Sequence, residues 1–432
     1  MKTHFHSPLR LGPWLLGASS VLATMFILRA DAANWPAWRG PSADGISPEK
    51  NFPTEWSEKK NIRWHVELPD RGNSSPIVWG DRVFLTAAKG DERIVFCVRT
   101  TDGKILWEKT AVSDAPGEKK HAWNGYASPS CVTDGKQVWA FFGTPGLFCY
   151  DIEGKLVWKK TFGKLPSGGW GAGASPFLYE DTVIMNCDNE GGAGAAPAAL
   201  VALDKLTGKQ RWATPRDQGR GFSTPRLMKV ADGRLDLVLN GPLGVWGYDP
   251  KSGKQRWHVK RTHPEKFAKF GEPMPVDDAG RIFITSGRTG PYQVLKLPGT
   301  GDLTNTHILH AGQRPTHRDV GSPIVWQGKV YCVDSASHLS CYDLATGKEI
   351  YDGPIGKRGS KSLASPIAVR GKLLWVLDDG QTIVLEPGNK LQVAYKNKLD
   401  GVSLDYGASP AVADGKLYIR SQTNLYCIGE KK

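Results

Sequence analysis

No stretch of the repeated part of the 432-residue chain carries the apolar spacing of an amphipathic helix of ordinary length, which leaves an all-β chain. Cysteine is scarce and odd in number: with seven, at least one thiol is unpaired. Acidic residues are in deficit, 43 against 56 Lys and Arg, for a formal net charge of +13. The Lys residues are spread over turns rather than gathered in a stripe. The charge balance would favour anionic partners such as envelope lipids, acidic polysaccharide or non-specific nucleic acid, but the spread suits a solvated basic surface and offers no specific nucleic-acid interface. Three catalytic signatures are also missing: the Gly-x-Ser-x-Gly elbow, His-Glu-x-x-His and the Gly-x-x-x-x-Gly-Lys-Ser/Thr loop. Each Gly-Lys pair is followed by an apolar or large polar residue, as a turn opening a strand requires. No His or Cys spacing resembles a compact metal-ligand set, so no metal site is expected.

What the chain does have is an echo. LDKLTGKQRW (203–212) returns as YDPKSGKQRW (248–257), DIEGKLVW (151–158), RTTDGKILW (99–107) and DLATGKEIY (343–351). A degenerate copy, EPGNKLQVAY, runs over 386–395, and a truncated one, NIRWHVEL, over 61–68. The closing aromatics are Trp64, Trp107, Trp158, Trp212, Trp257, Tyr351 and Tyr395, at separations of 43, 51, 54, 45, 94 and 44. The 94 is about two periods, so one copy has decayed near Leu297–Asn305. A second marker agrees: Ser-Pro or Thr-Pro occurs at 75, 128, 175, 224, 322, 365 and 409, with its missing member at Pro273–Pro275. Both markers count eight units, and this period suits four-stranded propeller blades.

Within a unit, Gly-Asp and Asp-Gly turns join short alternating runs, as in GDRVFLT (80–86) and DGKLYIRS (414–421). The expected fold is therefore an eight-bladed β-propeller of four-stranded antiparallel blades over residues 33–432. Trp64 precedes the first Ser-Pro, whereas the last unit ends without an aromatic marker. An N-terminal strand should thus complete the last blade and leave no cut edge. The aromatics read as wedges between blades, each stabilising by up to about 5 kcal/mol.

Residues 1–32 stand apart. A basic start, an apolar run over 11–28 and Ala30-Asp31-Ala32 read as an export signal, with an uncleaved anchor as the rival. No cysteine lies near that site for lipid attachment. Cys97, Cys149, Cys341 and Cys427 share one third-strand slot, filled elsewhere by Ala202, which suits small buried residues. Cys332 and Cys341 could face each other across a hairpin.

The small-x-Asp-x-x-Thr-Gly-x-x-x-Trp run, clearest at Leu200–Trp212 and Trp246–Trp257, resembles the pyrroloquinoline quinone (PQQ) type of propeller repeat. The resemblance covers Trp35 to Cys427, and the lead-in NWPAWRGPSADGIS is similar to that of BamB-like exported bacterial proteins. It implies a periplasmic, extracellular or envelope location and one of two chemistries. Quinoprotein dehydrogenases of the family hold PQQ over Ca²⁺, often with a vicinal disulfide; this chain has neither a vicinal Cys pair nor Cys-x-x-Cys-His. Asp188-Asn189-Glu190 is the nearest candidate for Ca²⁺. The BamB branch is a non-catalytic scaffold, although the missing lipid-attachment Cys departs from it. A monomeric, non-catalytic binding protein with an envelope protein or polysaccharide partner is the leading expectation. PQQ-dependent oxidation and carbohydrate binding are the alternatives.

Residues just before each Ser-Pro run from the rim toward the central channel. Those segments nominate His121, Trp123, Asn124, Tyr126, Trp170, Arg220, His317, Arg318, Asp405 and Tyr406 as a funnel, with Asp188 and Arg216 close to the same register. Aromatics converging with Arg, His and Asn suit a polar ligand, a sugar or a peptide.

Overall fold

The computed structural model describes residues 34–68, 71–111, 120–230, 232–261, 273–285, 290–297, 299–314 and 318–430. The proposed export signal over 1–32 and the candidate His317 lie outside the described residues. The described chain is all-β, with no helix among its elements.

Eight antiparallel sheets form an eight-bladed propeller. Blade 1 spans Ile77–Thr110, blade 2 Val132–Lys160, blade 3 Phe177–Pro215 and blade 4 Arg226–Lys260. Blade 5 spans Val276–Gln313, blade 6 Ile324–Pro354 and blade 7 Ile367–Lys398. Blade 8 joins Ala411–Ile428 to the N-terminal strand Ile62–Glu67, which pairs with Asn424–Ile428. The short first strands lie at the axis, where those of blades 8, 1, 2 and 3, and those of blades 5, 6 and 7, meet in turn.

The register explains the echo. Six of the seven outer-strand aromatics lie opposite a small residue on the third strand, Tyr395 opposite Val384 being the exception: Trp64 lies opposite Cys427, Trp107 opposite Cys97, Trp158 opposite Cys149 and Trp212 opposite Ala202. Trp257 faces Gly247, and Tyr351 faces Cys341. The indole then reaches the next blade: the Nε1–H groups of Trp64, Trp107 and Trp158 donate to the carbonyls of Thr100 (2.9 Å), Ile152 (3.1 Å) and Lys205 (3.0 Å). The Thr-Gly-Lys turn of that next blade lies flat against the ring. At Gly103, with φ of +78°, an added Cβ would come 2.7 Å from Trp64, so both its conformation and the ring require glycine.

Two wedges differ. Trp257 turns inward and donates to the Asp236 carboxylate of its own blade at 2.8 Å. Tyr395, 36% exposed, lies on the surface instead of forming a wedge. Blade 5 keeps the pattern with a substitute: His310 sits opposite Val294, and Gly347 of blade 6 packs on its imidazole. The decayed stretch forms a short strand, Gly301–Asp302, that pairs parallel with the outer strand of blade 4.

The acid of each echo caps its own turn. Asp204 Oδ1 accepts the N–H groups of Leu206 and Thr207 and the Thr207 hydroxyl, and Asp249 and Asp343 cap theirs in the same way. Bonds from Arg211 and Thr207 hold the Asp204 carboxyl down at about 2; bonds from Arg99 and the Lys104 N–H do the same at Asp102.

The seven cysteines are all buried and free. Cys332 lies opposite Ser340 and Cys341 opposite Tyr331, so the two thiols point to opposite sheet faces and cannot bridge. Burial pushes the Cys341 thiol up to about 11.

The axis is laced by hydroxyls. The N–H of Ser75 donates to Ser130 Oγ, Ser130 to Ser175, and Ser175 to Thr224 Oγ1, at 2.9–3.0 Å. On the other side Met274 donates to Ser322, Ser322 to Ser365, Ser365 to Ser409 and Ser409 back to Ser75, at 2.8–2.9 Å. Seven hydroxyls and one methionine thus ring the channel. In blade 2 the ring member is Ser130, two residues beyond the Ser128 of the Ser-Pro marker.

The lead-in crosses beneath this ring. Trp35 pairs with Val78 of blade 1, Pro36 accepts the Thr133 N–H of blade 2, and Arg39 donates to the carbonyls of Ser322 and Pro323 in blade 6. Burial, with repulsion from Arg226, lowers the Arg39 guanidinium to about 9. The segment then runs along blade 7 and enters blade 8 as the closing strand.

Two outcomes follow from this packing. Trp64→Ala should lower unfolding free energy by about 3–5 kcal/mol in denaturant titration, against about 0.5 kcal/mol for the exposed Tyr395→Ala. Asp102 and Asp204 bind their protons less tightly in the fold than in the unfolded chain, where the pKa is about 3.9. Their contribution is complete above about pH 4 and is lost as pH falls toward 2. Asp204→Asn should therefore flatten the pH dependence of the melting temperature across that window.

Candidate functional site

Above the hydroxyl ring the channel opens into a cavity of about 200 Å³. Its floor includes Trp38 of the lead-in, whose Nε1–H donates to Ser409 Oγ at 3.2 Å. The cavity is a blind funnel, open at the end where the chain approaches each Ser-Pro.

At the mouth, three planar groups assemble around Trp170. The His121 ring stacks on it at 4.7 Å with 25° between planes, and the Arg318 guanidinium carbon lies 4.7 Å from its ring centre. Trp123 meets His121 edge-on at 5.5 Å. Asn124 fixes the arrangement: its Nδ2 donates to the Trp170 carbonyl at 2.7 Å and the Ala172 carbonyl at 3.3 Å, and its Oδ1 accepts the Gly125 N–H. Gly171, with φ of +86°, lets the loop pass so close that a Cβ would lie 2.7 Å from that amide. His121 Nδ1 accepts the Trp123 N–H at 3.2 Å, which leaves the ring proton on Nε2. Burial and the Arg318 charge lower the His121 pKa.

The structure brings His121, Trp123, Asn124, Trp170 and Arg318 together on one cavity. Other nominated residues lie elsewhere. Tyr126 lies under the Arg93 guanidinium (4.3 Å) and the Lys120 ammonium (5.3 Å), in a side cleft with Phe141 and Phe142. Asp188 and Arg216 form a bidentate pair at 2.7 and 2.9 Å, both side chains buried, with Tyr248 on the same guanidinium. Burial raises the Asp188 carboxyl while Arg216 pulls it back; burial opposes the Arg216 charge, but Asp188 and Tyr248 hold it above the ordinary guanidinium range. Arg220 pairs with Glu190 on the rim. Asp405 accepts the Val402 N–H within its own turn. Tyr406 is wholly buried and donates to the Asp400 carbonyl, so it belongs to the core.

Sequence reasoning missed Trp38, because the lead-in lies outside the repeat, and it read the Ser-Pro serines as a counting mark and not as lining. Six ring hydroxyls face the cavity: Ser75, Ser130, Ser175, Thr224, Ser365 and Ser409. No Asp or Glu lines it among the described residues, and no group of three or more His, Cys, Asp or Glu there could hold a metal. Asp188 and Asp319, the nearest buried acids in the sequence of the rim segments, are each paired with an arginine. This donor set does not fit Ca²⁺, which draws on carboxylates.

Eight four-stranded blades around a blind funnel define the protein as a closed β-propeller with a ligand-sized axial cavity. The chain belongs to the PQQ-like propeller family: the family model described as outer membrane protein assembly factor BamB matches residues 120–386. The outer membrane protein assembly factor BamB of Yersinia pestis is 21% identical over 78% of this chain and 80% of its own length. A polyvinylalcohol dehydrogenase of a Pseudomonas species is 24% identical over 51% of this chain, a match spanning 34% of that enzyme. A europium-containing methanol dehydrogenase shares the fold, with a TM-score of 0.65 at 12% identity over 92% of this chain and 98% of its own.

The buried pair separates structure from site. Asp188→Asn should destabilise by about 3–5 kcal/mol, because it strands the Arg216 charge. Arg220→Ala, which breaks a partly exposed pair, should cost about 1 kcal/mol or less in the same denaturant titration.

Proposed function

We propose that the chain is a non-catalytic exported propeller that engages a protein or polymer ligand through its funnel face in the cell envelope. One observation carries this reading: Trp170, with His121 and Arg318 packed on it, is held rigidly at the mouth of a blind, carboxylate-free funnel among the described residues. A rigid aromatic beside a cation is the composition of a binding hot spot. The match to an assembly factor over most of both chains supports a scaffold role. The dehydrogenase relatives motivate the alternative of a small PQQ- and Ca²⁺-dependent oxidoreductase, which the described donor set does not favour.

Immobilised protein incubated with envelope extract should retain a reproducible partner, and Trp170→Ala should release it. A blank capture with the wild type would sink the proposal. Purified protein supplied with PQQ and Ca²⁺ should give no dye-linked oxidation of alcohols or aldoses, and turnover in that assay would transfer the chain to the enzyme branch.

A further inference from the structure

The ring hydroxyls have protons to give. Each accepts a backbone N–H from the neighbouring blade, and Ser409 also accepts the Trp38 indole, but none of these bonds uses a hydroxyl proton. A hydroxyl carries one O–H besides its acceptor lone pairs. The six that face the cavity are therefore donors distributed around most of a circle, broken in blade 5 where Met274 replaces the hydroxyl. Above them stand two tryptophan rings and one guanidinium, with no described carboxylate on the wall.

Resting on the binding reading above, we propose that the ligand is an acidic polysaccharide and that the funnel seats one of its carboxylated sugar rings. A sugar ring presents oxygen acceptors around its whole perimeter, which matches a circle of donors. A peptide carboxylate presents two oxygens on one edge and would leave most of the circle unanswered, a loss for buried donors. The apolar C–H face of the sugar suits Trp123, while Trp170 holds His121 and Arg318 in place, and the sugar's carboxylate suits the outer edge of the Arg318 guanidinium, a group that pairs planar anions through two parallel bonds. The cavity of about 200 Å³ has room for one such ring, with the polymer continuing across the mouth. The net positive charge of the chain attracts a polyanion from a distance.

The test is calorimetric titration of the purified protein with three probes: an oligogalacturonate, a neutral malto-oligosaccharide of equal length, and a peptide with a free C-terminal carboxylate. The oligogalacturonate should bind best. Arg318→Gln should weaken it about tenfold or more, the scale of one charge-assisted hydrogen bond, while leaving any neutral-sugar binding unchanged. Trp170→Ala should abolish both, with wild-type thermal unfolding confirming that each variant is folded. Equal binding of neutral and acidic sugars, indifferent to Arg318→Gln, overturns the assignment of charge. Peptide binding without sugar binding overturns the polysaccharide and leaves the binding reading standing. Silence of all three probes beside a positive envelope capture overturns this inference alone, and silence beside a blank capture removes both.

Discussion

The structure depends on one repeated interaction at its axis, a backbone N–H of one blade donated to the hydroxyl of the next. First strands splay as they leave the centre, so they cannot tie themselves together by ladder bonds. A serine or threonine whose oxygen accepts across the gap does so instead, at 2.8–3.0 Å, in seven of eight positions. Each such bond is worth about 1 kcal/mol net, and an unanswered buried N–H costs about 1–3 kcal/mol. In seven blades the next residue is proline, which brings no further donor to the crowded axis; blade 2 has Cys131 there. The same hydroxyls are the lining of the funnel, so the closure of the ring and the chemistry of the cavity are one feature.

The outer rim is governed by a complementary rule, a large flat ring opposite a small residue. Cysteine, alanine or glycine on the third strand leaves room for the aromatic, and the glycine of the following turn covers its other side. Blade 5 shows how far the rule bends. Val294 takes the small slot, histidine replaces tryptophan, and the turn is rebuilt as a parallel strand against blade 4.

Blade number, strand count and closure were legible because they rest on spacing, which a sequence carries directly. Trp64 beside Cys427 is that reasoning made physical. The decayed copy is legible from the doubled spacing but its ring is not, because His310 stands where the other blades have Trp or Tyr. The site was half legible. Segments preceding Ser-Pro do reach the mouth, and His121, Trp123, Asn124, Trp170 and Arg318 gather there. Which side of a turning segment faces the axis depends on local dihedrals and not on spacing. Tyr406 therefore turns into the core and Asp405 holds its own loop, two residues from the channel in sequence but not in contact chemistry. Asp188 and Arg216 were drawn to each other, because a buried charge without a partner is far costlier than a pair. Trp38 had no marker at all.

One stretch of chain, residues 34–67, supplies both the floor of the funnel and the strand that completes blade 8. Its partners lie far along the chain: Trp38 bonds to Ser409 across 371 positions, and Ile62–Glu67 must find Asn424–Ile428. Such distant pairing makes folding slow, because loop closure has to precede the contacts that reward it. Until the hairpin that ends in Asn424–Ile428 has formed, Trp64 and the edge of its strand stay bare. Removing that hairpin would leave Ile62–Glu67 without its ladder partner, so blade 8 is completed only when two segments about 360 residues apart are both in place.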